Sequence, residues 1–167
     1  MKFKIILIAA SLFLISFDLS ADSANKDISV YTGKFDTTDA VGDDETQLFG
    51  VEHRNPNLFR DTLVGKLAPV TGAFVTGKGA AYLYTGIEAQ YQLGPVKISP
   101  GFAPGYYEQG GGKNLGDVLE FKSELKVGID ILNGANIGYS YSHISNNDWG
   151  TVNPGADNQS ITFSKKF

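Results

Sequence analysis

A chain of 167 residues, 42% hydrophobic and 19% charged, has room for one domain and excludes a multidomain enzyme. Its 20 glycines, 11 phenylalanines and 8 tyrosines favour strands and tight turns over a helical bundle. A net charge of -4 leaves no basic footprint for nucleic acid, and the absence of cysteine removes disulfide scaffolds, thiol nucleophiles and cysteine-held zinc.

Residues 1–21 open with Lys2 and Lys4, continue through an apolar stretch from Ile5 to Phe17, and exit through Leu19-Ser20-Ala21. A basic start, a short apolar run and a small-residue exit predict a cleaved signal peptide, so that residues 22–167 form the exported domain. No later stretch is long and apolar enough for a transmembrane helix.

Beyond residue 21 the chain alternates with a period of two. Candidate strands fall at residues 28–35, 46–54, 63–76, 80–93, 96–108, 118–131, 135–146 and 158–167. The sixth shows the pattern most clearly: Leu119, Phe121, Ser123, Leu125, Val127, Ile129 and Ile131 alternate with Glu120, Lys122, Glu124, Lys126, Gly128 and Asp130. In the third, Pro69, Gly72 and slips in the alternation predict a bulge.

Alternation alone fits a soluble sandwich with its apolar face inward or a membrane barrel with that face on lipid. Strands of about 13 residues are long for a soluble sheet, whereas a tilted membrane strand needs about 9 to 11. The row Ile161, Phe163 and Phe167, ending on an aromatic residue, matches the carboxy-terminal pattern of bacterial outer-membrane barrels, interrupted by Lys165. The expected fold is therefore all-β, an eight-stranded antiparallel transmembrane β-barrel in the outer membrane.

With both termini on the periplasmic side, Asn55-Pro56-Asn57, Gly94-Pro95 and Asn133-Gly134 become short inner turns, and residues 36–45, 109–116 and 147–156 become longer polar outer loops. Glu88, Glu120, Lys122, Glu124 and Lys126 read as paired charges within the lumen. Asp43-Asp44-Glu45 reads as a solvated acidic loop, Gly110-Gly111-Gly112 as a loop without a phosphate-binding context, and His53 as an ordinary strand-end residue.

His143 differs from His53 because Ser145 stands two positions on, which on a strand places imidazole and hydroxyl side by side on one face. A base beside a serine is the minimal arrangement for an activated nucleophile. Both residues share the outward parity of Ile137, Tyr139 and Tyr141. Polar groups on that row are either functional or already above the hydrocarbon at the outer leaflet. The carboxylate that would orient His143 is supplied by Asp148 or by Asp157.

The run His143-Ile144-Ser145-Asn146, followed by Asn153-Pro154-Gly155-Ala156-Asp157, resembles the lipid A 3-O-deacylase (PagL) family, whose pattern is H-x-S-N and then N-x-G-x-E. The family's glutamate falls fourteen positions after the histidine, where this chain has Asp157, one methylene shorter. The resemblance implies Ser145 as nucleophile, His143 as general base and then acid, Asp157 as the orienting acid, and Asn153 as an oxyanion-hole donor with Asn146 as a second candidate. It implies lipid A of lipopolysaccharide as substrate, outer-membrane lipids as surroundings, and neither metal nor organic cofactor, and it leaves a homodimer open. The rival expectations are a non-enzymatic OmpA-like structural or adhesive barrel, and a barrel acyltransferase that passes the acyl group to a second lipid.

Overall fold

The structure, a computed structural model, describes residues 27–38, 45–58, 60–62, 65–131 and 134–166. The expected signal peptide, Asp43, Asp44 and Phe167 lie outside the described residues. The strands are β1 (Asp27–Phe35), β2 (Thr46–Arg54), β3 (Arg60–Thr62), β4 (Gly65–Thr76), β5 (Ala81–Leu93), β6 (Val96–Glu108), β7 (Leu119–Asp130), β8 (Ala135–Ser145) and β9 (Ala156–Lys166).

Every pairing is antiparallel, and the order β2-β1-β9-β8-β7-β6-β5-β4 is closed by pairing of β2 with β4. Eight long strands thus form the barrel, and β3 is a three-residue rung on the first residues of β4. The connection from β2 to β4 departs from the expected short turn, because it holds both a 3-10 turn at Pro56–Leu58 and β3. The start of β1 and the end of β9 lie at one end of the barrel, where Asp27 pairs with Lys166. With both termini periplasmic, the usual orientation of even-stranded bacterial barrels, the opposite end is the outer one.

The expected bulge in β4 is absent: its register with β5 runs unbroken from Lys66↔Gln90 to Val75↔Ala81. Pro69 lies just past the last β2–β4 pair, Arg54↔Val70, and its carbonyl accepts the Asn55 N–H at 3.0 Å. Gly72 is required for close packing, since a β-carbon there would stand 2.4 Å from the Tyr84 hydroxyl oxygen.

The interior has two halves. Toward the outer end Phe35, Leu48, Phe74, Tyr82, Tyr107, Leu115 and Ile144 pack into an apolar cluster. Each large side chain buried there contributes about 1.5–3 kcal/mol. Val70 and Phe74 are buried within while Val75 is exposed on the outside, so both faces of β4 are apolar and its alternation blurs. Below the cluster lies a charge network. Lys126 bonds Glu52 and also Glu88, at 2.7 Å, and Arg54 reaches Glu88 at 3.1 Å. Lys122 pairs with Glu124 at 2.8 Å and covers the Tyr84 ring at 3.7 Å, and the Tyr84 hydroxyl donates to Glu52 at 2.9 Å, tying the halves together. Glu120, expected in this network, is instead fully buried beside Asn146.

Outside, the pattern is inverted relative to a soluble protein. Val30, Val51, Ile87, Phe102, Leu125, Ile137, Ile161 and Phe163 are exposed around the wall. Closure leaves none of the eight long strands with a free edge, and a filled eight-stranded interior with an apolar exterior is what a lipid bilayer demands.

Candidate active site

The outer ends of β8 and β9 carry the sequence-expected residues. Alternation buries Ser142 and Ile144 and turns His143 and Ser145 outward onto the same face. The register sets His143 directly opposite Asp157. Their side chains meet: the His143 Nδ1–H donates to Asp157 Oδ1 at 2.8 Å. The aspartate spans the strand pair despite its shorter side chain, and Asp148 lies elsewhere, accepting a bond from the Asn153 amide at 2.9 Å. With its proton on Nδ1, the imidazole leaves Nε2 as the acceptor.

The carboxylate is held from several sides. Asp157 Oδ2 accepts the Thr38 hydroxyl at 2.6 Å, and the Tyr141 hydroxyl also bonds Asp157. The Asp157 backbone carbonyl takes the Thr37 N–H at 2.8 Å. Residues 36–38 are fixed in turn by a buried ion pair between Asp36 and Lys113 at 2.9 Å, and the Asp36 N–H donates to Asn158 Oδ1 at 3.2 Å. Two segments distant from each other in sequence, β8 and residues 36–38, therefore converge on one carboxylate of β9. Thr38 carried no signal in the sequence, being 119 positions from Asp157. Tyr141 was legible only as a member of the outward row.

Ser145 is partly exposed, and among the described residues no hydrogen bond engages its hydroxyl. Nucleophile–base bonds commonly tighten only when substrate arrives. Beyond Ser145 the chain turns sharply through Asn147 and Asp148, both left-handed at φ 56° and 60°. Such conformations are costly for residues other than glycine and cluster at functional sites.

Asn153 and Asn146 are brought together, in unlike positions. The Asn146 N–H donates to Asn153 Oδ1 at 3.1 Å, leaving one Asn153 amide hydrogen beyond the one given to Asp148. Asn146 is fully buried, and its amide donates to the carbonyls of Leu115 and Val152, both at 2.7 Å. Those two bonds join the outer loops 109–118 and 146–155 beneath the site. Its side chain thus holds the floor and is not free to face an oxyanion. Gly116, at φ +98°, completes this join, since a β-carbon there would fall 1.9 Å from the Val152 carbonyl oxygen.

Among the described residues no cluster of histidine and acidic side chains has the arrangement of a metal site. What the geometry offers is a hydroxyl, an imidazole aligned by a carboxylate, and amide donors, all at the rim of a lipid-facing wall.

Comparison with known proteins bears on the fold and the family. A structure described as the outer membrane enzyme PagL superposes with a TM-score of 0.64 at 19% identity, over 83% of this chain and 98% of that one. A de novo designed transmembrane β-barrel gives 0.58 at 11% identity, over 87% and 98% of the two chains. Neisserial surface protein A gives 0.56 at 12%, over 85% and 97%. At these identities the likeness establishes the fold alone. No curated protein sequence matches the chain. The model of the family described as lipid A 3-O-deacylase (PagL), however, matches residues 41–166, which include His143, Ser145, Asn146, Asn153 and Asp157 but not Thr38. This outer-membrane barrel therefore belongs to the lipid A 3-O-deacylase (PagL) family.

Proposed function

We propose that the chain hydrolyses the 3-O-linked acyl ester of lipid A through Ser145, His143 and Asp157. The observation that carries this reading is the 2.8 Å bond between His143 and Asp157 on the outward wall, in line with Ser145. Three polar side chains facing lipid are expensive unless they serve one another and a substrate.

The Ser145 hydroxyl attacks the ester carbonyl while His143 Nε2 takes its proton. Asp157 keeps the proton on Nδ1 and stabilises the imidazolium that forms. The free Asn153 amide hydrogen supports the oxyanion, in surroundings where water competes poorly. Collapse of the tetrahedral species breaks the ester bond, and His143 returns its proton to the departing sugar oxygen, which leaves as a hydroxyl. Water, deprotonated by His143, then attacks the acyl-serine and frees a 3-hydroxy fatty acid, restoring Ser145.

The test is mass spectrometry of lipid A incubated with the refolded protein and with Ser145→Ala. Loss of one hydroxyacyl mass only with the intact serine is the expected result. An active Ser145→Ala variant, or an unchanged lipid A with folded wild-type protein, overturns the proposal.

A further inference from the structure

Beneath the site lies a carboxyl group that the proposed chemistry does not use. Phe121 and Ser145 are register partners facing outward, so the residues next to them, Glu120 and Asn146, stand side by side facing inward. Both are fully buried. Among the described residues no hydrogen bond reaches Glu120 Oε1, Glu120 Oε2 or Asn146 Oδ1. The Asn146 amide and the Asp117 N–H lie beside the carboxyl group but outside hydrogen-bond geometry. Asn146 has no donor left to give, because both amide hydrogens are spent on the Leu115 and Val152 carbonyls at 2.7 Å. Nor can its amide swing aside, since the backbone closes on it so tightly that a β-carbon at Gly150 would stand 2.7 Å from Nδ2.

Three acceptors meeting without a donor is costly, since a buried polar atom left unpaired forfeits its hydration without return. A negative charge makes it worse, because buried charges persist only when paired. Among the described residues no cation does so here. Lys113 pairs with Asp36 and Lys122 with Glu124, and the charge acting on Glu120 is the Asp117 carboxylate, of its own sign. The hydroxyls around it are committed to backbone: Tyr82 on β5 donates to the Glu120 carbonyl at 2.9 Å, and Tyr107 on β6 donates to the Lys113 carbonyl at 2.9 Å. Asp148, on the loop above, is taken up by the Asn153 amide. What the three oxygens lack is a proton.

We propose that Glu120 is a positioning residue that keeps its proton near neutral pH and donates it to Asn146 Oδ1. A carboxylic acid has one O–H to give, so a single proton removes the buried charge and joins the two side chains. Through Asn146 this acid sets the floor of the site. Asn146 ties loop 109–118 to loop 146–155, its N–H bonds Asn153 Oδ1 at 3.1 Å, and its carbonyl takes the Trp149 N–H at 3.1 Å. Loss of the proton leaves a charge beneath both loops with no cation to meet it, and the loops loosen. The effect on turnover rests on the hydrolase reading above, in which Asn153 supports the oxyanion. It runs opposite to that of His143. The base must lose a proton to work, so it makes activity rise with pH, whereas Glu120 makes activity fall as pH climbs further.

Trp149 is the chain's one tryptophan and rides on loop 146–155 against the Phe121 ring, so its emission reads the loop without any substrate. The experiment follows Trp149 emission and its quenching by acrylamide in refolded wild type, Glu120→Gln and Asp117→Asn, each verified as folded by circular dichroism. In wild type both should change in a transition between about pH 7 and about pH 9, with kcat on lipid A falling about tenfold across it and KM little moved. Glu120→Gln offers a neutral donor of the same shape at every pH, so it should abolish the transition and hold kcat flat on the alkaline side. Asp117→Asn removes the like charge beside the acid, which makes its proton easier to lose, so the transition should move to lower pH. A transition that persists in Glu120→Gln, fails to move in Asp117→Asn, or is missing from wild type overturns the assignment. If the transition behaves as expected but no form of the protein cleaves lipid A, the hydrolase reading falls and the bridge between Glu120 and Asn146 stands.

Discussion

Gly155 lies so close to His143 that a β-carbon on it would stand 2.8 Å from the imidazole Cε1 and 3.2 Å from Nε2. Its backbone is left-handed, at φ +64°, so two constraints require glycine at one position. The residue backs the working edge of the ring, and Gly155→Ala should push the imidazole off its line to Ser145. A displacement approaching 1 Å costs about a hundredfold in turnover. Steady-state hydrolysis by folded Gly155→Ala protein checks this, and near wild-type kcat would show that the ring is placed by Asp157 alone.

Thr38 holds the Asp157 oxygen that His143 does not use. Removing a hydrogen bond to a charged group costs about 1.5–3 kcal/mol. Thr38→Val, which keeps shape but not the donor, should therefore lower kcat about tenfold with little change in KM, and Thr38→Ser should restore it. If Thr38→Ser is as impaired as Thr38→Val, the methyl group and not the hydroxyl is what matters.

Substitution of Asp157 has two informative forms. Asp157→Asn keeps the shape but favours the wrong imidazole tautomer, for which losses on the order of 10⁴ in kcat are the precedent. Asp157→Glu installs the acid of the family pattern, yet the present carboxylate already reaches both His143 and Thr38. An extra methylene must displace one of those contacts. We expect Asp157→Glu to be slower than wild type, and single-turnover rates at matched barrel content would reveal a gain if that is mistaken.

Inside the barrel, Lys126 neutralises Glu52 and Glu88 together. Lys126→Met removes the cation that the two carboxylates share but leaves Arg54 beside Glu88, and Lys122 and the Tyr84 hydroxyl beside Glu52, so the loss should stay below the roughly 3–5 kcal/mol of a buried charge left wholly unpaired. The urea midpoint of unfolding in micelles should fall accordingly, and adding Glu52→Gln and Glu88→Gln should recover part of the loss. Turnover per folded molecule should be unaffected, because the network lies below the apolar cluster and not on the outer wall.

Much of the barrel was legible because one physical demand, apolar outside and polar within, writes itself as a period of two. Where the demand relaxes, so does the legibility. In β4 the inward residues Ala68, Val70 and Phe74 are as apolar as the outward Val75, so no alternation marks the face and an unbroken strand resembles a bulged one. The rung β3 was hidden for a different reason, since three residues are too few to show a period. At the site, the fourteen-residue spacing from His143 to Asp157 corresponds to one hairpin, which is why a local motif could carry it. Thr38, Gly116 and Leu115 reach the same site through closure of the barrel and packing of separate loops, and contacts of that kind leave no trace in local order. The burial of Asn146 was likewise unreadable, because an asparagine after a strand end looks alike whether it faces solvent or ties two loops together.

His143 and Asp157 open onto the bilayer and not onto the lumen, which the apolar cluster and the charge network fill between them. An ester hydrolase built this way meets its substrate by sideways diffusion in the plane of the leaflet. The concentration that governs its rate is a mole fraction among neighbouring lipids, unaltered by the volume of the surrounding water. Adding detergent at fixed enzyme and fixed lipid A should slow it as surface dilution proceeds, a signature that an enzyme drawing a dissolved ester from solution does not share.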